Sequence, residues 1–405
     1  MALRVMNTLT HRVEPFVTRE PGVVRMYVCG PSVYDEAHLG HARSYVGYDA
    51  MKRVLRATGH RVVHVQNFTD VEENVAARAA KRGMAPLDYA TMLIRRFFED
   101  MDALGVARAD HYPRVSDHIP DILRIIEGLE DKGLAYRVDC GPRGHIQKGC
   151  DIYFSVERAP GFGELIGTTV EELTVERPEK AGDRRNPLDF ALWKSRDDWG
   201  VTWEAPWGEG RPGWHVECAA MSTRYLGMGF DLHGGGLDLV FPHHESERAV
   251  AEALHGARYC AYYLHNGFVT VGDQKMSKSL GNFVTVRDML ARHDPEAIRT
   301  FLLSCHYRAP LNYDEETLAQ AEARVRAWRE GVERLRAKAT GSAGPAPRAR
   351  AAFWAALEDD FRFDRALDAI DAAFEEGGDP DGTLAFLAEA SRAMGVLWSI
   401  ERPAP

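Results

Sequence analysis

The sequence is poor in three things: cysteine, long apolar runs and net positive charge. Six cysteines (Cys29, Cys140, Cys150, Cys218, Cys260 and Cys305) are scattered over 405 residues. That spacing argues against a disulfide scaffold and leaves free thiols or metal ligands as the readings. No stretch approaches the ~18 consecutive apolar residues of a membrane span. Met1 to Phe16 carries Arg4, His11, Arg12 and Glu14 with no apolar centre, unlike a signal peptide. The expected location is therefore cytoplasmic. A net charge of −10 argues against a surface coated for non-specific nucleic-acid binding. Any such contact is expected to be local. One candidate is the stretch 322–350, where Arg324, Arg326, Arg329, Arg334, Arg336, Lys338, Arg348 and Arg350 face only Glu322, Glu330 and Glu333. A solvated helix face and linker accounts for it equally well.

What is present is an ordinary globular composition, 45% hydrophobic and 27% charged, in a chain long enough for two to four structural units. Val23 to Cys29 is a β-rich run ended by Gly30-Pro31, and about His41 to Ala57 reads as a helix. Arg61 to Phe68 is a second strand running into Thr69-Asp70-Val71-Glu72, a capping-box pattern for the next helix. This alternation opens a doubly wound parallel α/β sheet, whose ligands sit beyond the carboxyl ends of the strands, so Cys29 and Thr69 share one crevice. Residues 118–205 are less regular and read as an insertion, with a helix near Ile119 to Lys132 and a strand at Asp151 to Val156. Phe230 to Glu247 returns to strand, Gly-rich turn and helix. Leu318, Ala321, Val325, Trp328, Val332 and Leu335 then recur at three- and four-residue steps, and two further amphipathic stretches make the last part a helical bundle.

His38-Leu39-Gly40-His41 follows the first strand at the mouth of a helix, and Lys275-Met276-Ser277-Lys278-Ser279 lies far downstream. Each alone is weak: the first could be loop histidines, the second a solvated charge run. In this order, the pair resembles the signature of class I aminoacyl-tRNA synthetases. The chemistry suits those residue types. When a carboxylate attacks the α-phosphorus of ATP, charge builds on phosphoryl oxygens, and catalysis is positioning plus electrostatic stabilisation. His38 and His41 can donate to those oxygens, Gly40 leaves room for the nucleotide, and Lys275 and Lys278 can hold pyrophosphate as point charges.

Cys29, Cys218, His243 and Glu247 are ligands of the kind zinc prefers, with His243 and Glu247 four residues apart on one helix face. Taken singly, Cys218 could be a buried apolar thiol, and His244 could serve as well as His243. Tyr27-Val28-Cys29-Gly30-Pro31, Gly213-Trp214-His215-Val216-Glu217-Cys218, Asp231-Leu232-His233-Gly234-Gly235-Gly236 and Phe241-Pro242-His243-His244-Glu245-Ser246-Glu247 resemble the cysteinyl-tRNA synthetase family. The resemblance spans roughly residues 5–400. It implies one Zn2+ per chain on Cys29, Cys218, His243 and Glu247, contacting the substrate thiolate. It places Trp214, Thr69 and His233 at the amino-acid pocket, Gly236 and Asp238 at the ATP ribose, and the strand through Val269 along the adenine. It implies Mg2+ with ATP, L-cysteine as substrate and tRNA(Cys) as acceptor.

The expected architecture is a Rossmann-like doubly wound sheet split as 1–117 and 206–274, an inserted connective domain at 118–205, a lysine-loop and stem-contact region at 275–313, and a helical bundle at 314–405. A monomer is expected, because no long exposed apolar seam is evident. Three features depart from the family pattern. The sequence stops at Pro405, where the family continues into an anticodon-binding domain. Val71-Glu72-Glu73-Asn74 stands where the family has two aspartates and a lysine. Asp139 to Cys150 reads as a short inserted loop, in which Cys140, His145 and Cys150 could instead form a second metal site. The first departure keeps open a ligase that places cysteine on a small-molecule or carrier amine. A zinc- and nucleotide-binding paralogue without catalysis is the third reading.

Overall fold

The computed structural model describes residues 3–143, 146–176, 184–195, 200–272, 274–276 and 282–401. Its centre is a four-stranded parallel sheet of β1 (Val23–Val28), β2 (Arg61–Gln66), β3 (Phe230–Gly236) and β4 (Cys260–Asn266), in the order β4-β3-β1-β2. Met26 stands between Leu232 and His64, and Leu232 in turn opposes Tyr262. The strands are buried almost throughout, as expected for a parallel sheet covered on both faces. Alternation sorts the β1 side chains. Val24, Met26 and Val28 join the apolar cluster that includes α1 (Leu39–Ala57) and the C-terminal helices, whereas Tyr27 joins that of α2 (Trp214–Leu226) and α3 (Glu245–His255).

β1 leads through α1 to one edge and β3 leads through α3 to the other. The two central strands therefore diverge at their carboxyl ends, and the crevice opens there. The helix Ile119–Asp131 packs beside α2 and α3. An antiparallel sheet follows in sequential order, Ala135–Arg143, Ile146–Phe154, Phe190–Lys194 and Arg211–Pro212. Among the described residues, the last part is helical: Glu315–Arg336, Ala349–Glu358, Phe363–Glu375, Pro380–Met394 and Trp398–Glu401. In the first of these Leu318, Ala321, Val325, Trp328 and Val332 are buried, as their spacing predicts. Arg299 bonds Asp49 on α1 at 2.5 Å and the Met394 carbonyl at 2.7 Å, joining this bundle to the sheet layer.

Several local expectations are corrected. Helix α1 begins at Leu39 rather than near His41, because the His38 side chain caps it. Thr69-Asp70-Val71-Glu72 forms no capping box. The helix starts at Glu73 with no side-chain cap, since Thr69 is bridged to Ser32 and the Asp70 carboxylate takes the Ser116 amide and hydroxyl at 3.0 and 2.6 Å. Cys150 is disulfide-bonded, so it is neither a free thiol nor an available metal ligand, while the side chains of Cys140 and His145 lie outside the described residues. In the basic stretch, Arg324 pairs with Asp368 and Asp371, Arg329 with Asp294 and Glu296, Arg334 with Glu330, Arg336 with Glu333, and Arg350 with Glu389. Arg324, Arg329 and Arg350 thus join neighbouring helices, while Arg334 and Arg336 pair within their own.

Candidate active site

Cys29 leaves β1 with its amide bonded to the Gly234 carbonyl at 2.9 Å, so the first residue beyond the strand still belongs to the sheet. Gly30 then crosses the exit of β2. A Cβ there would fall 1.5 Å from the Asn67 carbonyl oxygen, and the Gly30 amide donates to Asn67 Oδ1 at 2.8 Å. Only glycine permits that approach. Cys218 lies in the first half of α2, His243 in the turn after β3, and Glu247 in the first turn of α3. Their sulfur, nitrogen and oxygen atoms all lie within 4.8 Å of one another, and all four residues are buried.

The surrounding side chains orient these atoms. Glu247 Oε1 faces His243 Nε2 at 2.9 Å and Cys29 Sγ at 3.4 Å, while Oε2 is held by His233 Nε2 at 2.9 Å and Tyr259 Oη at 3.1 Å. His243 Nδ1 meets His215 Nδ1 at 3.0 Å, which leaves Nε2 turned into the cluster, and the exposed Trp214 ring stacks on His243 at 4.2 Å. Partners of this kind fix the tautomer and orientation of metal-binding side chains. Burial pushes the Cys29 thiol up, and the hydrogen bond from Cys29 pulls Cys218 down to about 6. Burial would raise the Glu247 carboxyl, but His243 and His233 hold it well below the usual range. Burial would likewise neutralise His243, yet Glu247 and Cys218 raise it to about 10. Two sulfurs, one imidazole nitrogen and one carboxylate oxygen, mutually attractive for a cation and shielded from water, are fit to hold a metal ion.

His244 is the neighbour that sequence spacing could not separate from His243. Its Nδ1 turns away to His265 Nε2 at 2.8 Å, and His265 Nδ1 meets Thr8 Oγ1 at 2.7 Å. An overlapping set of Cys29, His233, His244 and Glu247 also has ligand atoms within reach of one another, but it contains one sulfur instead of two. His233 is fully buried beneath Glu247 rather than at an open wall. Thr69 is buried, with its hydroxyl accepting from Asn67 Nδ2 at 3.3 Å and its carbonyl from the Val33 amide at 3.0 Å.

The second half of the crevice is the start of α1. His38 Nδ1 accepts from the His41 amide, and His41 Nδ1 from the His38 amide, both at 3.3 Å, with the rings stacked at 3.7 Å. Each ring therefore carries its proton on Nε2, facing away from the cap. Burial lowers His38 to about 4, and burial with the neighbouring His38 lowers His41 further, so both are neutral donors at pH 7. A Cβ on Gly40 would stand 2.9 Å from His38 Cε1, so the missing side chain admits the imidazole as well as any ligand. Tyr45, one turn along, donates from its hydroxyl to the Cys29 carbonyl at 3.4 Å and joins this half to the metal cluster.

The downstream lysine segment comes to the same place. Gln274–Lys275 pairs with Val269–Val271, and on the far side the Leu39 amide bonds the Val284 carbonyl at 3.0 Å and the Val286 amide the Ala37 carbonyl at 2.8 Å. Met276 Cε lies 3.8 Å from the position of a Gly40 Cβ, and Phe283 meets the His38 ring edge-on at 5.2 Å. Both ends of the loop are thus tied beside His38. Lys278 lies outside the described residues, as does the side chain of Lys275. Asp238 is exposed in the turn after β3, beside Gly236, where a Cβ would come 2.4 Å from Asp238 Oδ1. Val269 begins the short strand next to β4. Sequence reasoning missed His215, Tyr259 and Asn67. Only His215 stood inside a quoted motif, and nothing in its spacing announced a contact with His243.

Residues 15–323 match the family described as tRNA synthetases class I (C) catalytic domain. The chain is 47% identical over 384 residues to a cysteine–tRNA ligase of Pelotomaculum thermopropionicum, covering 91% of this chain and 76% of that protein. It is 45% identical over 425 residues to one from Anaeromyxobacter sp. (strain K), covering 100% and 86% respectively. Among solved structures, methionyl-tRNA synthetase of Mycobacterium tuberculosis in complex with methionyl-adenylate superposes with a TM-score of 0.66 at 17% identity, covering 92% of this chain and 90% of that one. That likeness is one of fold.

Proposed function

The chain belongs to the cysteine-type class I tRNA synthetases, and from that membership we propose that it is a cysteine–tRNA ligase. The carboxylate of L-cysteine attacks the α-phosphorus of ATP, forming cysteinyl adenylate and releasing pyrophosphate. A hydroxyl of the terminal adenosine of tRNA(Cys) then takes the cysteinyl group and AMP leaves. The observation that carries this reading is the convergence of two constellations at the carboxyl ends of β1 and β3: the four buried metal-ligand side chains, and the paired imidazoles at the start of α1.

In this reading His38 and His41 donate from Nε2 to phosphate oxygens. Their neutral state costs no deprotonation, and their mutual cap holds them before substrate arrives. Lys275 and Lys278 close over pyrophosphate from the tethered loop, and ATP enters with Mg2+. Gly236, Asp238 and Val269 line the nucleoside. Cys29, Cys218, His243 and Glu247 would hold one Zn2+, which would supply a ligand position for the substrate thiolate. Trp214 walls the pocket by stacking on His243, Thr69 borders it, and His233 acts from beneath by fixing Glu247. A hydroxyl in place of the thiolate would be a much poorer donor to such a position, so serine would be rejected at the binding step without editing. We take the enzyme to be a cytoplasmic monomer.

The deciding assay is cysteine-dependent ATP–pyrophosphate exchange alongside transfer of labelled cysteine to unfractionated tRNA. Both activities are expected. Exchange without charging overturns the tRNA acceptor, and absence of both overturns the enzyme.

A further inference from the structure

Asp360 sits in the turn between Ala349–Glu358 and Phe363–Glu375, far from the crevice in sequence, and is 3% exposed. It and Phe361 have φ of 57° and 52°, a left-handed pair without glycine. Side chains seldom accept that conformation, and two in succession need surroundings that impose it. Phe361 is fully buried in the core. Asp360 spends its whole carboxylate on two other segments. Oδ1 accepts from the Met6 amide at 2.8 Å and Tyr307 Oη at 2.9 Å, and Oδ2 from Arg308 Nε at 2.8 Å, with His306 Nε2 at 3.4 Å. Its amide donates to the Arg4 carbonyl at 2.9 Å.

The segment so gripped is the one that registers the lysine loop. The Tyr307 carbonyl accepts from the Gly267 amide at 2.8 Å, and the Leu311 amide donates to the Phe268 carbonyl at 2.9 Å. Leu311–Tyr313 then pairs with Val269–Val271, which pairs in turn with Gln274–Lys275. From the other side Arg43, two residues after His41, donates to the carbonyls of Leu302, Cys305 and His306. The strand beneath the lysine loop is thus hung between the signature helix and the C-terminal bundle.

We propose that Asp360 is a positioning residue for activation: through Tyr307 and Arg308 it sets the register of Val269–Val271 and, through it, of Gln274–Lys275, the described start of the lysine segment. The role in activation rests on the function proposed above; the mechanical link does not. Removing the carboxylate charge weakens the Arg308 pair and the His306 contact together, and the loosening travels to the short sheet through the Gly267–Tyr307 and Leu311–Phe268 bonds.

The test is Asp360→Asn in the full chain, read by hydrogen exchange and by kinetics. Amides of Val269–Val271 and Leu311–Tyr313 are expected to exchange about tenfold faster while those of β1 are unchanged. The KM for ATP is expected to rise about tenfold, with the KM for cysteine and the bound metal unaltered. Arg308→Met, at a half-exposed position, is expected to shift both readouts the same way by a smaller factor, and it decides the matter where Asp360→Asn fails to fold. Unchanged exchange in the short sheet overturns the proposal, as does equal acceleration in every strand. A wild-type protein without cysteine-dependent exchange of pyrophosphate sinks the functional reading alone, since amide exchange still reports the link.

Discussion

The two ends of the crevice are held by opposite means. His38 and His41 lie three residues apart, and each ring satisfies the other's backbone amide, so the pair is a property of one helix terminus. The metal cluster draws on residues from the end of β1, α2, the turn after β3 and α3, with Cys29 and Glu247 separated by 218 positions. The first end survives as long as α1 begins at Leu39. The second exists only when the sheet, both covering helices and the carboxylate of Glu247 are all in register. Under the proposed function the consequence is a division of labour: a local device for the step common to many substrates, and a non-local one for choosing among them.

Breaking the non-local end should cost most. Cys218→Ser is expected to lose the bound metal and lower kcat/KM for cysteine in pyrophosphate exchange by on the order of a thousandfold, about 4 kcal/mol. Metal analysis of the purified variant beside the exchange assay checks both, and a metal-free variant with full activity removes the selector argument. Breaking the local end should cost less and leave the metal in place. His41→Asn can still cap through its side-chain oxygen but loses Nε2, and should lower kcat by about a hundredfold, close to 2.7 kcal/mol, the usual loss for one preorganised donor.

A smaller effect should come from the shell around the metal. His215→Leu removes the partner of His243 Nδ1 and should weaken metal affinity about tenfold, measured by chelator competition, with kcat at saturating metal nearly unchanged. Loss of activity that metal cannot restore would assign His215 to substrate instead. The smallest effect is a null one in pH. His38 is lowered to about 4 from an unfolded value near 6.5, so the unfolded chain takes up this proton first as pH falls. Its share of stability is whole above pH 6.5 and lost between about 6.5 and 4. The exchange rate should therefore show no imidazole step between pH 7 and 8, and a step that vanishes in His38→Asn would contradict the neutral pair.

Legibility followed the same division. The strand–helix–strand opening, the histidine motif and the buried stripe of Glu315–Arg336 were readable because periods of two and 3.6 residues are local. The capping pattern at Thr69–Glu72 misled for a related reason: the Thr69 backbone bridges to Ser32 and the Asp70 carboxylate is taken by Ser116. The partners of the basic stretch at 322–350 were hidden likewise, since its opposing charges at Asp368, Asp371, Glu296 and Glu389 arrive from other helices. His243 and His244 were equivalent by composition. Only the surroundings separate them, one turned toward Glu247 and Cys218, the other toward His265.

By itself, then, the sequence determined the order of the elements, which faces are apolar, and that a histidine motif stands at the mouth of a helix, because patterns within a few residues decide those matters. Tertiary structure alone decided which nitrogen and which oxygen enter the metal cluster, why Gly30 must pass over Asn67, and how a carboxylate at Asp360 reaches the root of the lysine loop. The physical reason is convergence. Donor atoms from distant segments meet within a few ångströms only after packing has removed the freedom of every segment between them.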